Sequence, residues 1–216
     1  MTHRFIYLHG FASSPQSFKA RYFVRKFEQM GQPLLVPDLN QHSFFELTLT
    51  RQIQYIQDLM LQDPLPKAVI GSSLGGLTAT WLAERCDLVT KLVLLAPAFN
   101  FMHYWLPKLG RPTLENWQHT GKLSVYHHGY QGFSDLGYSF LQDIQQYDDA
   151  TLCRNIPTLI IHGRHDEVIP VEASKQFAGD RPWVHLQEVN SDHNLSNVTE
   201  FMWQSMSNFL EIDPEN

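Results

Sequence analysis

Residues 68–77 read Ala-Val-Ile-Gly-Ser-Ser-Leu-Gly-Gly-Leu, and this stretch decides the fold. Its first three residues are apolar and strand-like, and a helical pattern follows from residue 74 to residue 86. A Gly-x-Ser-x-Gly pattern between a strand and a helix is typical of a nucleophile elbow, a strained turn that exposes a serine hydroxyl above a sheet. The positions two before and two after that serine must lack bulk, and Gly71 and Gly75 satisfy this. Ser73 is therefore the candidate nucleophile.

Short apolar runs and longer periodic segments alternate along the rest of the chain. This alternation predicts an α/β fold, with a mostly parallel sheet of about six strands and helices on both faces. The predicted strands are Phe5–Leu8, Leu34–Val36, Ala68–Ile70, Leu92–Leu95, Thr158–Ile161 and Val184–Val189. The predicted helices are Pro15–Met30, Ser43–Leu61, Leu74–Cys86, Val171–Phe177 and Val198–Leu210. Ser14 is the expected N-cap of the first helix.

A base and an acid follow two later strands. A serine hydroxyl needs a base to become a nucleophile, and the base needs an acid to orient it. Asp166 lies in the loop after the strand at 158–161, and His193 lies in the loop after the strand at 184–189. Parallel strands end at the same edge of a sheet, so we expect the three side chains to meet. The order Ser73, Asp166, His193 is the one expected for an elbow-type triad.

The loop after the first strand supplies the remaining part of such a site. An oxyanion formed at Ser73 needs two N–H donors. The helix that begins at Leu74 presents one of them. The first strand ends in His9-Gly10-Phe11, where Gly10 permits a close turn and the Phe11 N–H is the expected second donor. We expect His9 to support this loop.

These motifs together carry a family resemblance. The chain resembles the α/β-hydrolase superfamily, and within it the small YqiA/YcfP-like esterase family. The matching stretches are Tyr7-Leu-His-Gly-Phe-Ala-Ser-Ser-Pro-Gln-Ser-Phe-Lys19, Gly71-Ser-Ser-Leu-Gly-Gly76, the loop Gly163…Asp166…Pro170, and Ser191-Asp-His193. The resemblance implies hydrolysis of acyl esters, without a single well-defined substrate. The extra N-terminal antiparallel strands of larger relatives have no room before Arg4, so the sheet should be a reduced one.

A long connection interrupts the alternation between residues 97 and 150. It holds 11 of the chain's 27 aromatic residues, and structureless loops longer than about 15 residues are uncommon in compact domains. We expect one domain over residues 1–216, with residues 97–150 forming a cap or lid whose aromatic side chains partly line a pocket. The aromatic content favours a small or apolar acyl substrate.

Composition excludes several classes of function. The net charge is −6 and no basic run occurs, which argues against nucleic-acid binding. No apolar stretch approaches the ~20 residues that span a bilayer. The N-terminus lacks a signal-peptide layout, so we expect a cytoplasmic protein. The sequence contains no signal for its oligomeric state.

The histidines do not indicate a metal site. His162-x-x-His165-Asp166 and the pair His127-His128 both lack zinc-hydrolase spacing. We expect His162 to brace the loop of Asp166, and we expect neither a metal nor a cofactor. The same triad could cleave thioesters, amides or carbon–carbon bonds, and a non-catalytic binding protein on this scaffold is a further alternative.

Overall fold

The computed structural model describes residues 4–212. A parallel sheet of six strands, ordered β2-β1-β3-β4-β7-β8, forms its centre, and a separate antiparallel hairpin, β5-β6, lies outside it. The strands are β1 (Arg4–Leu8), β2 (Leu34–Leu35), β3 (Lys67–Ser72), β4 (Val89–Leu95), β5 (Lys122–His127), β6 (Gly132–Gly137), β7 (Thr158–Gly163) and β8 (Val184–Val189). The helices are α1 (Phe18–Gln29), α2 (Leu49–Leu61), α3 (Leu74–Arg85), α4 (Phe101–Leu109), α5 (Arg111–Thr120), α6 (Ser139–Ile144), α7 (Val171–Gly179) and α8 (Thr199–Leu210). The predicted fold class is confirmed.

Two hydrophobic cores cover the two faces of the sheet. Side chains alternate along β1, so that Ile6 joins the core under α2 and α3, whereas Tyr7 joins the core under α1 and α8. Phe23 and Phe27 of α1 are fully buried in the second core. Burial of each such side chain stabilises the fold by roughly 1.5–3 kcal/mol. This packing fixes α1 on one face of the sheet.

Two helices begin later than the sequence predicted. The first starts at Phe18 instead of Pro15, because Ser14 accepts the Gln16 N–H (3.2 Å) and begins a turn. Ser17, not Ser14, is the N-cap, and its hydroxyl oxygen accepts the Ala20 N–H.

The second helix starts at Leu49 instead of Ser43. Its N-cap is Thr48, which accepts the Arg51 N–H at 3.0 Å. Two apolar residues of the preceding segment, Phe44 and Leu47, are buried as an irregular loop in the first core. The apolar positions of that loop therefore extended the helical pattern in the sequence without being part of the helix.

Residues 97–150, called the cap below, are folded throughout. They form α4, α5, the β5-β6 hairpin, α6 and a short 3₁₀ turn. Trp117 and Phe140 are fully buried, and the Trp117 indole N–H donates to the Leu136 carbonyl at 3.0 Å. Both rings belong to the same core as α2 and α3, so the cap packs over that face of the sheet. No helix within residues 4–212 is long and apolar enough to cross a bilayer.

Candidate active site

Ser73 occupies a strained turn between β3 and α3. Its backbone angles are φ 54° and ψ −120°, and a conformation of this kind costs a non-glycine residue of order 1–3 kcal/mol. The turn is compact because two glycines allow it. A Cβ on Gly71 would overlap the backbone of Gly75, and a Cβ on Gly75 would overlap the carbonyls that end β1. These are the two positions that the sequence predicted to lack bulk.

A continuous hydrogen-bonded chain joins Ser73, His193 and Asp166. The Ser73 Oγ lies 3.0 Å from His193 Nε2, and His193 Nδ1 lies 2.7 Å from Asp166 Oδ2. A carboxylate only accepts hydrogen bonds, so Nδ1 carries the proton and Nε2 is free to accept the serine hydroxyl. The three loops that the sequence singled out thus bring the predicted side chains together.

The Asp166 carboxylate is surrounded by donors. Its Oδ1 accepts the backbone N–H groups of Val168 and Ile169, both at 2.8 Å. Its Oδ2 accepts from His193 and also from His162 Nε2 at 3.0 Å. Burial alone would raise the pKa of Asp166, but the hydrogen bonds from His162 and His193 hold it well below its usual range. The group is therefore ionised at neutral pH.

His162 contacts the acid directly, beyond the loop-bracing role expected for it. His162 is the penultimate residue of strand β7 and is fully buried. Its Nε2 faces two acceptors, Asp166 Oδ2 and the Ile169 carbonyl at 2.9 Å, so it carries a proton. Its Nδ1 lies 2.7 Å from the Ser174 hydroxyl. His162 therefore ties the acid to α7 and leaves it one fixed orientation.

The two expected oxyanion donors stand beside Ser73. Among residues 4–212, neither the Phe11 N–H nor the Leu74 N–H has a protein acceptor. A Cβ on Gly10 would lie 3.3 Å from the Ser73 Cβ, which shows how closely this loop approaches Ser73. The Phe11 ring packs against Phe101 and Trp105 of α4, with ring centroids 6.3 and 5.7 Å apart. The loop that carries Phe11 is therefore in contact with the cap.

His9 holds the same loop from beneath. Its side chain is buried. The Leu39 N–H donates to His9 Nε2 at 3.0 Å, so that nitrogen is unprotonated, and Nδ1 is 3.0 Å from the Gly10 carbonyl. The ring bridges the loop after β1 to the loop after β2.

A cavity of about 870 Å³ opens over Ser73, and its two sides differ in character. The apolar flank consists of Phe11, Phe101, Trp105 and Val168, which pack with the core under α2 and α3. The flank at the start of α1, called the basic flank below, consists of Ser17, Phe18, Lys19 and Arg21, of which Lys19 and Arg21 carry positive charge. The apolar flank joins the core under α2 and α3, whereas α1, which carries the basic flank, packs on the other face of the sheet.

The sequence did not identify the basic flank. Lys19 and Arg21 were expected inside a helix beginning at Pro15, and no motif gave them a role. The late start of α1, visible only in the turn at Ser14, places them at the cavity.

Asp192, the residue next to His193, does not compete for the acid role, because its carboxylate accepts the Asn194 N–H at 2.9 Å and stabilises the loop.

Nearly the whole described chain matches the model of a protein family. The model of the "Uncharacterised protein family (UPF0227)" matches residues 4–211. The chain belongs to this family. The UPF0227 chain is also 27% identical over 204 residues to the "Putative esterase/lipase 2" of Mycoplasma pneumoniae, covering 81% of this chain and 75% of that relative.

Solved structures share the fold. Alpha/beta hydrolase domain-containing protein 10 from mouse superposes with a TM-score of 0.79 at 20% identity, covering 98% of this UPF0227 chain and 90% of the mouse chain. Est1E from Butyrivibrio proteoclasticus, with ferulic acid bound, superposes with a TM-score of 0.78 at 22% identity, covering 97% and 90%. The chain therefore has the α/β-hydrolase fold.

Proposed function

We propose that this protein is a serine hydrolase that cleaves carboxylic esters with Ser73, His193 and Asp166. The observation that carries the proposal is the unbroken hydrogen-bonded chain from the Ser73 hydroxyl through His193 to Asp166. Two unpaired N–H groups, that of Leu74 at the same turn and that of Phe11 in the loop after β1, complete what acyl transfer requires. Nucleophile, base, orienting acid and oxyanion donors are all supplied by side chains and backbone of this chain.

In the proposed acylation step, His193 Nε2 takes the Ser73 proton as Oγ attacks the ester carbonyl carbon. The carbonyl oxygen becomes an oxyanion that accepts from the Phe11 and Leu74 N–H groups. The ionised Asp166 stabilises the imidazolium and keeps its proton on Nδ1. Collapse of the intermediate breaks the carbon–oxygen bond of the ester, and His193 gives its proton to the departing alkoxide, which leaves as the alcohol.

Deacylation repeats these steps with water. His193 removes a proton from a water molecule, whose oxygen attacks the acyl carbon, and the same two N–H groups hold the second oxyanion. Breakdown of this intermediate releases the carboxylic acid, and His193 returns its proton to the Ser73 Oγ. His193 accepts or returns the proton in each step, and the cycle ends with the enzyme in its starting form.

The relatives support ester substrates over other acyl compounds. The similar Mycoplasma protein is named as an esterase/lipase, and the Est1E structure holds ferulic acid. The apolar flank next to Ser73 suits a hydrocarbon or aromatic group of the substrate. Thioesters, amides and activated carbon–carbon bonds present the same electrophilic carbonyl to Ser73 and stay as alternative substrates.

The proposal is tested by hydrolysis of a short-chain p-nitrophenyl ester by wild type, Ser73→Ala and Ser72→Ala. Ser72 is the adjacent serine of the same motif, but it lies on β3 outside the triad. We expect Ser73→Ala to lose on the order of 10³–10⁶ of the rate and Ser72→Ala to retain most of it. Turnover that survives in purified Ser73→Ala would contradict the assignment of the nucleophile.

The same variants decide among the alternative substrates. A thioester, an anilide and a diketone that share the acyl group of the ester are compared by kcat/KM. We expect the ester to be cleaved fastest, with every activity lost in Ser73→Ala. If a substrate of another class is preferred over the ester, the roles proposed for the triad stand but the reaction assigned to the protein changes.

A further inference from the structure

Lys19 stands where helix energetics disfavour a cation. It is the second residue of α1, in the first turn of the helix. Aligned peptide dipoles place partial positive charge at a helix N-terminus, so a cation there is unfavourable. The first turn of α1 contains no acidic residue that could offset this charge. A lysine at this position therefore does not stabilise helix α1.

The Lys19 ammonium also lacks a close partner in the protein. Within the described range 4–212, no group accepts a hydrogen bond from it or forms a close ion pair with it. Burial lowers the pKa of Lys19 to about 8, against the more distant carboxylates of Asp166 and Asp192, which act to raise it. A partly buried, unpaired ammonium destabilises a fold.

The destabilising ammonium of Lys19 lies at the cavity over Ser73. Lys19 lines the cavity over Ser73 together with Ser17, Phe18 and Arg21 of α1, whereas Phe101 and Trp105 of α4 form its apolar flank. Glu167 is the acidic residue of the lining, and it adjoins Val168 of the apolar flank. A substrate seated over Ser73 would thus extend between an apolar surface and a basic one.

We propose that Lys19 is a specificity residue that binds an anionic group of the ester, such as a carboxylate, on the side of the scissile bond opposite its apolar group. This inference rests on the proposed function. It makes the substrate an amphipathic ester, with a hydrocarbon part against Phe101 and Trp105 and an anionic part against α1. The anion supplies the hydrogen-bond acceptor that the protein does not provide for Lys19.

A positioning role for Lys19 predicts different behaviour. An ammonium that only adjusted the electrostatics of Asp166 or Asp192 would change the turnover of charged and neutral esters equally. A lysine that binds the substrate changes their ratio. The decisive quantity is therefore the preference for an anionic ester over a neutral ester of the same shape.

The test measures binding in the Ser73→Ala protein, in which the probes are not expected to be consumed. One probe pair is para-carboxyphenyl hexanoate and its neutral para-carbamoyl analogue, which place the charge on the alcohol part. A second pair, phenyl hemiglutarate and its amide, places it on the acyl part. In at least one of the two pairs, we expect the anionic probe to bind about ten- to a hundredfold more tightly than its amide. A charged hydrogen bond contributes free energy of this size.

Variants assign the preference to Lys19. In the Ser73→Ala background, Lys19→Met should abolish the preference and Lys19→Arg should restore most of it. Arg25→Met removes one positive charge from an exposed position of the same helix, and we expect it to preserve the preference. Circular dichroism spectra and melting temperatures show whether each variant is folded, and Lys19→Gln replaces Lys19→Met if the latter is not.

Kinetics with the same probe pairs separate this inference from the proposed function. Equal binding of both members in both pairs, or a preference that survives Lys19→Met, overturns the role of Lys19 and leaves the esterase proposal intact. Failure of the Ser73-bearing protein to cleave any of these esters overturns the esterase proposal. Binding to Ser73→Ala then still shows whether Lys19 selects anions.

Discussion

Lys19→Met should make the protein more stable at neutral pH. The unfolded lysine has a pKa of 10.5, and in the native state burial lowers this pKa to about 8. At about 1.4 kcal/mol for each tenfold change in proton affinity, the native state disfavours the charged amine by about 3 kcal/mol. Water reaches part of this side chain, so we expect Lys19→Met to raise the free energy of unfolding by about 1–2 kcal/mol.

The gain should have a characteristic pH dependence. Between pH values of about 8 and 10.5, the unfolded state binds more protons at this lysine than the native state, so wild-type stability rises with pH relative to the variant. Below about pH 8 both states are protonated and the full difference is present. We therefore expect the advantage of Lys19→Met to be largest near neutral pH and to fall to less than half by about pH 9.5.

Urea denaturation at several pH values measures this difference. Wild type, Lys19→Met and Arg25→Met are compared by their midpoints at equal m-values, and Arg25→Met should show no such pH dependence between neutral pH and about pH 9.5. A Lys19→Met protein that is less stable than wild type near neutral pH would refute the reasoning, since it would mean that Lys19 stabilises the fold. A gain that does not change with pH would refute the assignment to the charge.

Three further substitutions test other parts of the site. His162→Phe removes a donor from the Asp166 carboxylate, so kcat/KM should fall about 10- to 100-fold, and the acid limb of the pH–rate profile should move upward; an unchanged profile would contradict the link to Asp166. Gly10→Ala should displace the loop of Phe11 and lower kcat more than it raises KM, by about 10-fold or more, whereas an effect on KM alone would contradict the donor role. Trp105→Ala should reduce kcat/KM for a long-chain ester at least several-fold more than for an acetate ester; equal losses would show that the apolar flank does not bind the hydrocarbon part.

The meeting of Ser73, Asp166 and His193 could be predicted because each of these residues lies in a loop directly after a strand. The strands of a parallel sheet end at one edge, so recognising the strands before Ser73, Asp166 and His193 was enough to bring these residues together. The glycine requirement at Gly71 and Gly75 is a local steric effect of the same kind. Each strand with the loop after it, and the steric requirement at Gly71 and Gly75, is local in the chain. Sequence patterns express such local features well.

The basic flank could not be predicted, because it depends on where one helix begins. Ser14 and Ser17 are both suitable N-caps, and sequence alone does not show which hydroxyl is used. The structure selects Ser17, because Ser14 accepts the Gln16 N–H.

The packing of the cap could not be predicted either, since it is a long-range arrangement of aromatic rings around Trp117 and Phe140 that no local pattern encodes.

Covalent trapping of the nucleophile tests the central claim most directly. A fluorophosphonate reacts with an activated serine by displacement of fluoride and remains attached to its oxygen. Intact-mass and peptide mass spectrometry of the treated protein should show a single adduct on the peptide that contains Ser73, with no adduct in Ser73→Ala and much slower labelling in His193→Ala. Failure to label Ser73 while the protein hydrolyses esters, or stoichiometric labelling of another residue, would contradict the account.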